Sequence, residues 1–266
     1  MNTETSSINL ETEFTNDLQR QSFLTRCANE EQGYLNEYDG IDCPLCHNKG
    51  FIITDDDNEV TTTHHECTCM KKRKAFKLAK ESGLDELLKH RIKNYKVTNE
   101  WQKAIRNLAI EYIQNNPFKN WFCLLGQSGA GKTHICSSIC NALIDNGKAV
   151  LYMQWNDFVS SYKDKFGKEQ ESSRELLKTY QNIEVLYIDD LFKGSSNTYD
   201  VKNIAFDLIN YRYNNDLVTI ISCESDFEEL NNIDSAIAGR IKEKCSSFLA
   251  IIPKDIKNNY RIKGGK

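Results

Sequence analysis

The stretch GQSGAGKT, Gly126–Thr133, leaves this chain few folds to choose from. It fits the pattern G-x-x-x-x-G-K-[ST], follows the apolar run WFCLL and opens the helical pattern KTHICSSICNALI. A strand must therefore end, the backbone reverse and a helix begin, in that order. Gly129 and Gly131 permit a turn in which successive backbone N–H groups face one point. The new helix aims its positive end at the same point. Such a cradle suits phosphate, with Gly126, Gln127, Ser128, Gly129, Ala130 and Gly131 supplying the main chain. Lys132 is the residue to bridge the β- and γ-phosphates, and the Thr133 hydroxyl is the one to ligate magnesium. ATP and Mg2+ are the expected ligands.

Around this loop, short apolar runs alternate with longer helical stretches. The runs are WFCLL, AVLYMQ, EVLYID, VTIIS and FLAII, and the stretches between them include KTHICSSICNALIDN and YDVKNIAFDLINYRYNN. Continuous apolar strands are buried on both faces, which predicts an α/β fold with a parallel sheet covered by helices. EVLYIDDL ends a strand in Asp189 and Asp190. An acid at a strand tip beside the loop holds the magnesium, and a second orients the attacking water; Asp189 is assigned to the metal and Asp190 to the water. Cys136 and Cys140, among Ile135, Ile139 and Leu143, read as core, as do Cys123, Cys223 and Cys245. Trp101, Trp121 and Trp155 read as packing. A small-molecule kinase would need a lid and an acceptor pocket, and neither is identifiable.

A second feature stands upstream. Cys43-Pro-Leu-Cys46 and Cys67-Thr-Cys69 form C-x2-C-x20-C-x-C. Two close pairs about twenty residues apart are what a tetrahedral metal site needs, and four thiolates leave no position for water. The expected ion is zinc in a structural role, held by Cys43, Cys46, Cys67 and Cys69. The second pair has one intervening residue rather than two, so His64, His65 or His47 stays open as a replacement for one cysteine. GFIITDDDNEVTTTHHEC between the pairs reads as a hairpin turning at the acidic cluster. Ten cysteines in a chain without a secretory signal read as metal ligands and core thiols of a cytosolic protein, not as disulfides.

No run approaches the length of about 18 apolar residues that spans a bilayer. The net charge of −4 conceals segregation. Residues 1–42 carry nine acids against Arg20 and Arg26, and residues 71–96 carry ten Lys or Arg against Glu81, Asp85 and Glu86. Leu10, Phe14 and Leu18 suggest one weak amphipathic helix. The expected organisation is an acidic, partly helical arm over 1–40, a zinc-binding module over 41–70, a basic helical linker over 71–98 and an ATPase domain over 99–266. In the linker, RKAFKLAKESGLDELLKH reads as one helix. The MKKRK segment can follow a phosphate backbone, and without interleaved aromatic residues any DNA contact is sequence-blind.

In combination, CPLCHNKGFI, CTCMKKRK, NEWQKAI, WFCLLGQSGAGKTHI, VLYIDDLFK and TIISCESDFEELNNIDSAIAGRIKEKC resemble the DnaC/DnaI-type replicative helicase loaders from about residue 41 to the end. The resemblance implies an AAA+ fold with a five-stranded parallel sheet and an N-terminal zinc module. It implies delivery of a ring-shaped DnaB-like helicase onto single-stranded DNA in replication initiation, with the N-terminal region gripping the helicase and the ATPase region self-associating. By position, Arg240 matches the arginine that reaches a neighbouring subunit's γ-phosphate, and Arg261 matches one that senses nucleotide in its own subunit. Glu224 departs from the Asn or Asp that related ATPases place there; Ser222 is a candidate to share its role. The alternative resemblance is to IstB-type DNA-binding ATPases that assist a transposase, for which no comparable zinc module is expected.

Overall fold

The computed structural model describes residues 16–56, 59–115, 120–194 and 199–263. They fall in two compact units, divided between Arg73 and Lys74.

In the first unit, helix α1 (Asp17–Glu30) starts at Asn16, whose side chain accepts the Gln19 N–H. A short helix α2 (Leu35–Asp39) ends at Gly40 in the left-handed region. Strands β1 (Phe51–Asp56) and β2 (Glu59–Glu66) form an antiparallel hairpin, as the sequence suggests. The Asn29 amide exchanges two hydrogen bonds with the backbone of Ile53, at 2.8 and 2.9 Å, and so fastens α1 to the free edge of β1. Leu10 and Phe14 lie outside the described residues, while Leu18 is 41% exposed.

The second unit is built on five parallel strands: β3 (Phe122–Leu125), β4 (Val150–Gln154), β5 (Val185–Leu191), β6 (Val218–Cys223) and β7 (Leu249–Ile251). Their order is β4-β5-β6-β3-β7. All five apolar runs of the sequence are strands. Side chains alternate between two buried layers: Trp121, Cys123 and Leu125 enter one, Phe122 and Leu124 the other. Helices α4 (Glu100–Asn115) and α5 (Lys132–Asp145) serve the second layer. Helices α6 (Trp155–Lys168), α7 (Gln170–Asn182), α8 (Tyr199–Asn214), α9 (Phe227–Ile233) and α10 (Ser235–Cys245) serve the first. Trp121 and Trp155 are fully buried and Cys123, Cys136, Cys140, Cys223 and Cys245 are core. Among the described residues no helix is long and apolar enough to cross a membrane.

The basic segment differs from the single helix expected. Helix α3 (Cys69–Ala79) gives way to a wide turn at Lys80–Leu84, where Gly83 adopts φ +93°, and then to a short 3-10 turn. A lone glycine with φ > 0 cannot continue a right-handed helix, and here it reverses the chain.

Arg212 near the end of α8 is wholly buried. Its Nε donates to Thr219 Oγ1 at 2.9 Å, one terminal nitrogen donates to the carbonyls of Tyr180, Gln181 and Ile183, and the other to that of Val218. Burial lowers its pKa to about 9, which still leaves it charged at neutral pH. The guanidinium thereby satisfies the last carbonyls of α7 and ties that helix to the start of β6. Arg212→Met strands several buried acceptors. It is expected to cost about 3 kcal/mol, read as a lowered urea midpoint with an unchanged slope. Thr219→Val, which removes one contact, is expected to cost about 1 kcal/mol.

Candidate functional site

The loop between β3 and α5 passes through positive φ at Gly126, Gly129 and Gly131, at 124°, 74° and 87°. At Gly129 a Cβ atom would stand 2.1 Å from Asn259 Oδ1, so only glycine fits where the C-terminal segment crosses the loop. That segment is fastened there. Tyr260 N donates to Gly129 O at 3.0 Å, and the Gln127 side chain exchanges two hydrogen bonds with the Asp255 backbone. Arg261, in the short helix α11 (Tyr260–Lys263), reaches Ser128 Oγ at 3.3 Å.

Lys132 is buried and its Nζ donates to the carbonyls of Gly126 and Gln127 at 2.7 and 2.9 Å. Burial pushes its pKa down, and Asp190 and Glu224 work against that shift. The ammonium thus rests on the loop's own carbonyls, within a cradle it can exchange for phosphate oxygens.

Asp189 lies two residues before the end of β5, within reach of the loop's Thr133. Its carboxylate accepts from Thr133 Oγ1 at 3.3 Å, Tyr187 Oη at 2.7 Å, Tyr152 Oη at 3.1 Å and the Ser222 hydroxyl. Asp190 follows with φ +56°, and its N–H donates to Ser222 Oγ at 2.9 Å. Glu224 stands just past β6. Burial opposes its ionisation, but hydrogen bonds from Lys193 and Ser128 hold its pKa below the usual carboxylate range. Ser128, Lys132, Thr133, Asp190, Glu224 and Arg261 together line a cavity of about 160 Å³.

The structure therefore brings Gly126–Thr133, Asp189, Asp190, Glu224 and Arg261 to one place. Arg240 is not among the residues lining that cavity. Its Nε donates to Asn210 Oδ1 at 3.0 Å, and its guanidinium lies over the rings of Phe206 and Tyr213 at 4.9 and 5.6 Å.

Sequence reasoning missed a neighbouring cavity of about 390 Å³, lined by Tyr95, Thr98, Gln102, Ala130, His134 and Tyr260. It shares Gly129 and Gly131 with the loop and offers aromatic faces, with a hydroxyl and an amide among them. The only signal was the spacing of single aromatic residues in segments that otherwise read as linker, helix and tail.

In the first unit, Cys43, Cys46, Cys67 and Cys69 place their sulfurs within 4.8 Å of one another. Cys43–Cys67 and Cys46–Cys69 are 3.8 and 3.6 Å apart. Zinc–sulfur bonds of about 2.3 Å in a tetrahedron give edges of about 3.8 Å, so the sulfurs fit that ion. No histidine belongs to the group. His64 stacks on Phe51, and His65 meets Thr54 Oγ1 at 2.9 Å. Asn48, buried and at φ +65°, accepts the Cys43 N–H and one Arg73 N–H through Oδ1 and donates to Asp42. Arg73 also grips both oxygens of Asp39. Cys46 is the thiol brought down, to about 7: burial opposes this, but the Gly50 N–H and the neighbouring cysteines outweigh it. If an ion binds here, it closes the two pairs into one joint.

Five parallel strands, a phosphate cradle between β3 and α5 and an acidic tip on β5, separated from β3 by β6, define an AAA+ P-loop ATPase fold. Residues 89–246 match the model of the bacterial DnaA ATPase domain, and the chain belongs to that family. Among its relatives, the uncharacterized protein YqaM of Bacillus subtilis is 30% identical over 76% of this chain and 67% of its own length. The phage-like element PBSX protein XkdC of the same organism is 29% identical over 84% and 87%. The replicative helicase loader DnaC of Escherichia coli is 29% identical over 53% of this chain and 57% of its own length. In fold, the chain is similar to the crystal structure of the DnaC helicase loader, with TM-score 0.54 and 22% identity over 63% of this chain and 99% of that one. The resemblance to DnaC/DnaI-type AAA+ loaders thus stands.

The full chain is expected to bind one zinc ion, measured by elemental analysis after gel filtration. Cys43→Ser is expected to lose it and to unfold the first unit while nucleotide binding persists; stoichiometric zinc with normal stability in that variant refutes the cluster.

Proposed function

We propose that the chain is an ATP-switched loader that binds a DnaB-like replicative helicase and delivers it onto single-stranded DNA. The observation that carries the reading is the convergence of the cradle, Asp190 of β5, Glu224 just past β6 and Arg261 on one small cavity, in a chain related over half its length to a helicase loader. The first unit, with its cysteine-held joint, is the grip on the helicase. The second unit reports nucleotide state and self-associates.

In this reading ATP lies with its phosphates along Gly126–Thr133 and its base in the aromatic cavity beside Tyr95, His134 and Tyr260. Lys132 leaves two carbonyls to meet phosphate, an exchange of hydrogen bonds that keeps the ammonium satisfied throughout. Thr133 and Asp189 are the residues that would hold Mg2+, which when bound offsets phosphate charge. Asp190 and Glu224 orient the water. Arg261 reads the nucleotide from within the chain through its place at Ser128. Arg240 supplies positive charge to a neighbouring copy's site, so hydrolysis follows assembly.

A second reading is a DNA-binding ATPase that assists a transposase. The match to a phage-element protein over most of its length favours keeping it.

The full chain is expected to co-purify with its cognate replicative helicase. Lys132→Ala retains that capture but fails to deliver the helicase to single-stranded DNA. Capture of a transposase and not of the helicase selects the second reading. Arg240→Ala is expected to keep nucleotide affinity within about twofold and to lose the stimulated part of hydrolysis, as removal of a transition-state arginine does; an unchanged stimulated rate refutes the trans role.

A further inference from the structure

Beside the two acids assigned to water sits a lysine with no role so far. Lys193 Nζ lies 2.8 Å from Asp190 Oδ2 and 2.8 Å from Glu224 Oε1, so one ammonium joins the tips of β5 and β6. It is not among the residues that line the phosphate-sized cavity, whereas both of its partners are. Its reach toward them is set by an unusual turn. Asp190, Phe192 and Gly194 all have positive φ, at 56°, 65° and 75°. Lys193 N closes the turn on Asp190 O at 3.0 Å. Left-handed backbone at an aspartate and a phenylalanine is costly and persists only where surroundings hold it. Here Phe192 is buried, 3% exposed, edge-on to Trp155 at 5.6 Å. At Gly194 a Cβ would come within 2.9 Å of Asn156 Nδ2. Packing on Trp155 of α6 holds the turn at Phe192, and at Gly194 the backbone runs close beside the Asn156 side chain.

We propose that Lys193 is a positioning residue for ATP hydrolysis: it bridges Asp190 and Glu224 so that both carboxylates are held close together and fixed in orientation at the cavity wall. Two carboxylates facing one small cavity repel each other and would turn away toward solvent. A cation shared between them removes that repulsion and takes one oxygen of each. This also accounts for the glutamate that stands where related ATPases carry a shorter residue. Its longer side chain spans the distance to Lys193, and the pair works as one unit with the turn. The ammonium neutralises acid charge without being placed to touch phosphate, so its effect falls on turnover and not on nucleotide affinity. The proposal rests on the reading of the site as an ATPase.

The test uses the full chain with Lys193→Met and Lys193→Arg. Affinity for a fluorescent non-hydrolysable ATP analogue with Mg2+ is measured beside kcat and KM for ATP, with and without single-stranded DNA. The expected result is unchanged affinity and KM for Lys193→Met, with kcat lower by about 10- to 100-fold, the range seen when a group that orients a reacting side chain is removed. Lys193→Arg, whose guanidinium can still bridge two carboxylates, is expected to recover most of the rate. Unchanged or raised kcat in Lys193→Met overturns the positioning role while leaving the ATPase reading intact. Weakened analogue binding with normal kcat also overturns it, because the lysine then acts on phosphate. A wild-type chain that binds the analogue but never turns over ATP under either condition overturns the ATPase reading, and the role of Lys193 with it.

Discussion

A buried carboxylate organises the second unit. Asp189 is 6% exposed, and an ionised acid at that depth is tolerable only when its oxygens are satisfied. Four hydroxyls do this, and they come from four different elements: Tyr152 of β4, Tyr187 of β5, Ser222 of β6 and Thr133 of α5. The same contacts tie three neighbouring strands and the start of one helix to a single carboxylate. Tyr152 and Tyr187 also touch each other, with ring centroids 5.3 Å apart. The acid proposed to hold magnesium thus also joins these elements at one point, and Thr133 is hydrogen-bonded to it.

Charge in the cavity is balanced in layers. Lys132 sits on the floor against backbone carbonyls, and Arg261 approaches from the C-terminal segment through Ser128. Asp190 and Glu224 form the opposite wall, backed by Lys193. Each charge in the cavity has a partner within the protein, so no group is left as an unpaired buried ion. Binding phosphate then exchanges partners instead of creating new ones. The C-terminal segment belongs to this balance as much as the loop does: its Asn259 closes against Gly129 and its Tyr260 bonds to Thr98 at 2.9 Å. A site completed by the last described residues of the chain gives nucleotide a direct hold on that end.

The loop, the five strands and the paired acids were legible because each rests on local rules. Apolar runs report strands buried on both faces, and the glycine spacing reports a reversal before a helix. The convergence of the four cysteines was legible for a similar reason, since metal geometry dictates spacing. Lys193 was not. Its importance comes from a left-handed turn at Asp190 and Phe192 that neither residue type advertises. Arg212 was hidden too, because an arginine near a helix end reads as a solvated charge until the fold brings four carbonyls to it. The helix expected through Gly83 failed where one glycine outweighed a good periodic pattern on both sides. The aromatic cavity drew its members from three separate segments, and no window shorter than residues 94–260 contains it.

The first unit has too small an apolar core to stand without a further source of stability. Strand β2 is exposed along its whole length, and among the described residues the buried apolar set around the cysteines is Cys43, Cys46 and Cys67, with Ile52 and Cys69 against it. A core of that size cannot offset the conformational entropy of the loops it joins. The polar framework of Asn48, Arg73 and Asp39 aligns the two cysteine pairs, yet hydrogen bonds of this kind contribute about 1 kcal/mol each once competition with water is counted. An ion bound by four thiolates supplies roughly ten times that, and it does so only when both pairs are present together. Folding of this unit and binding of such an ion would then be a single equilibrium. In the proposed loader, a surface shaped in that way would serve as a handle that is rigid only when loaded.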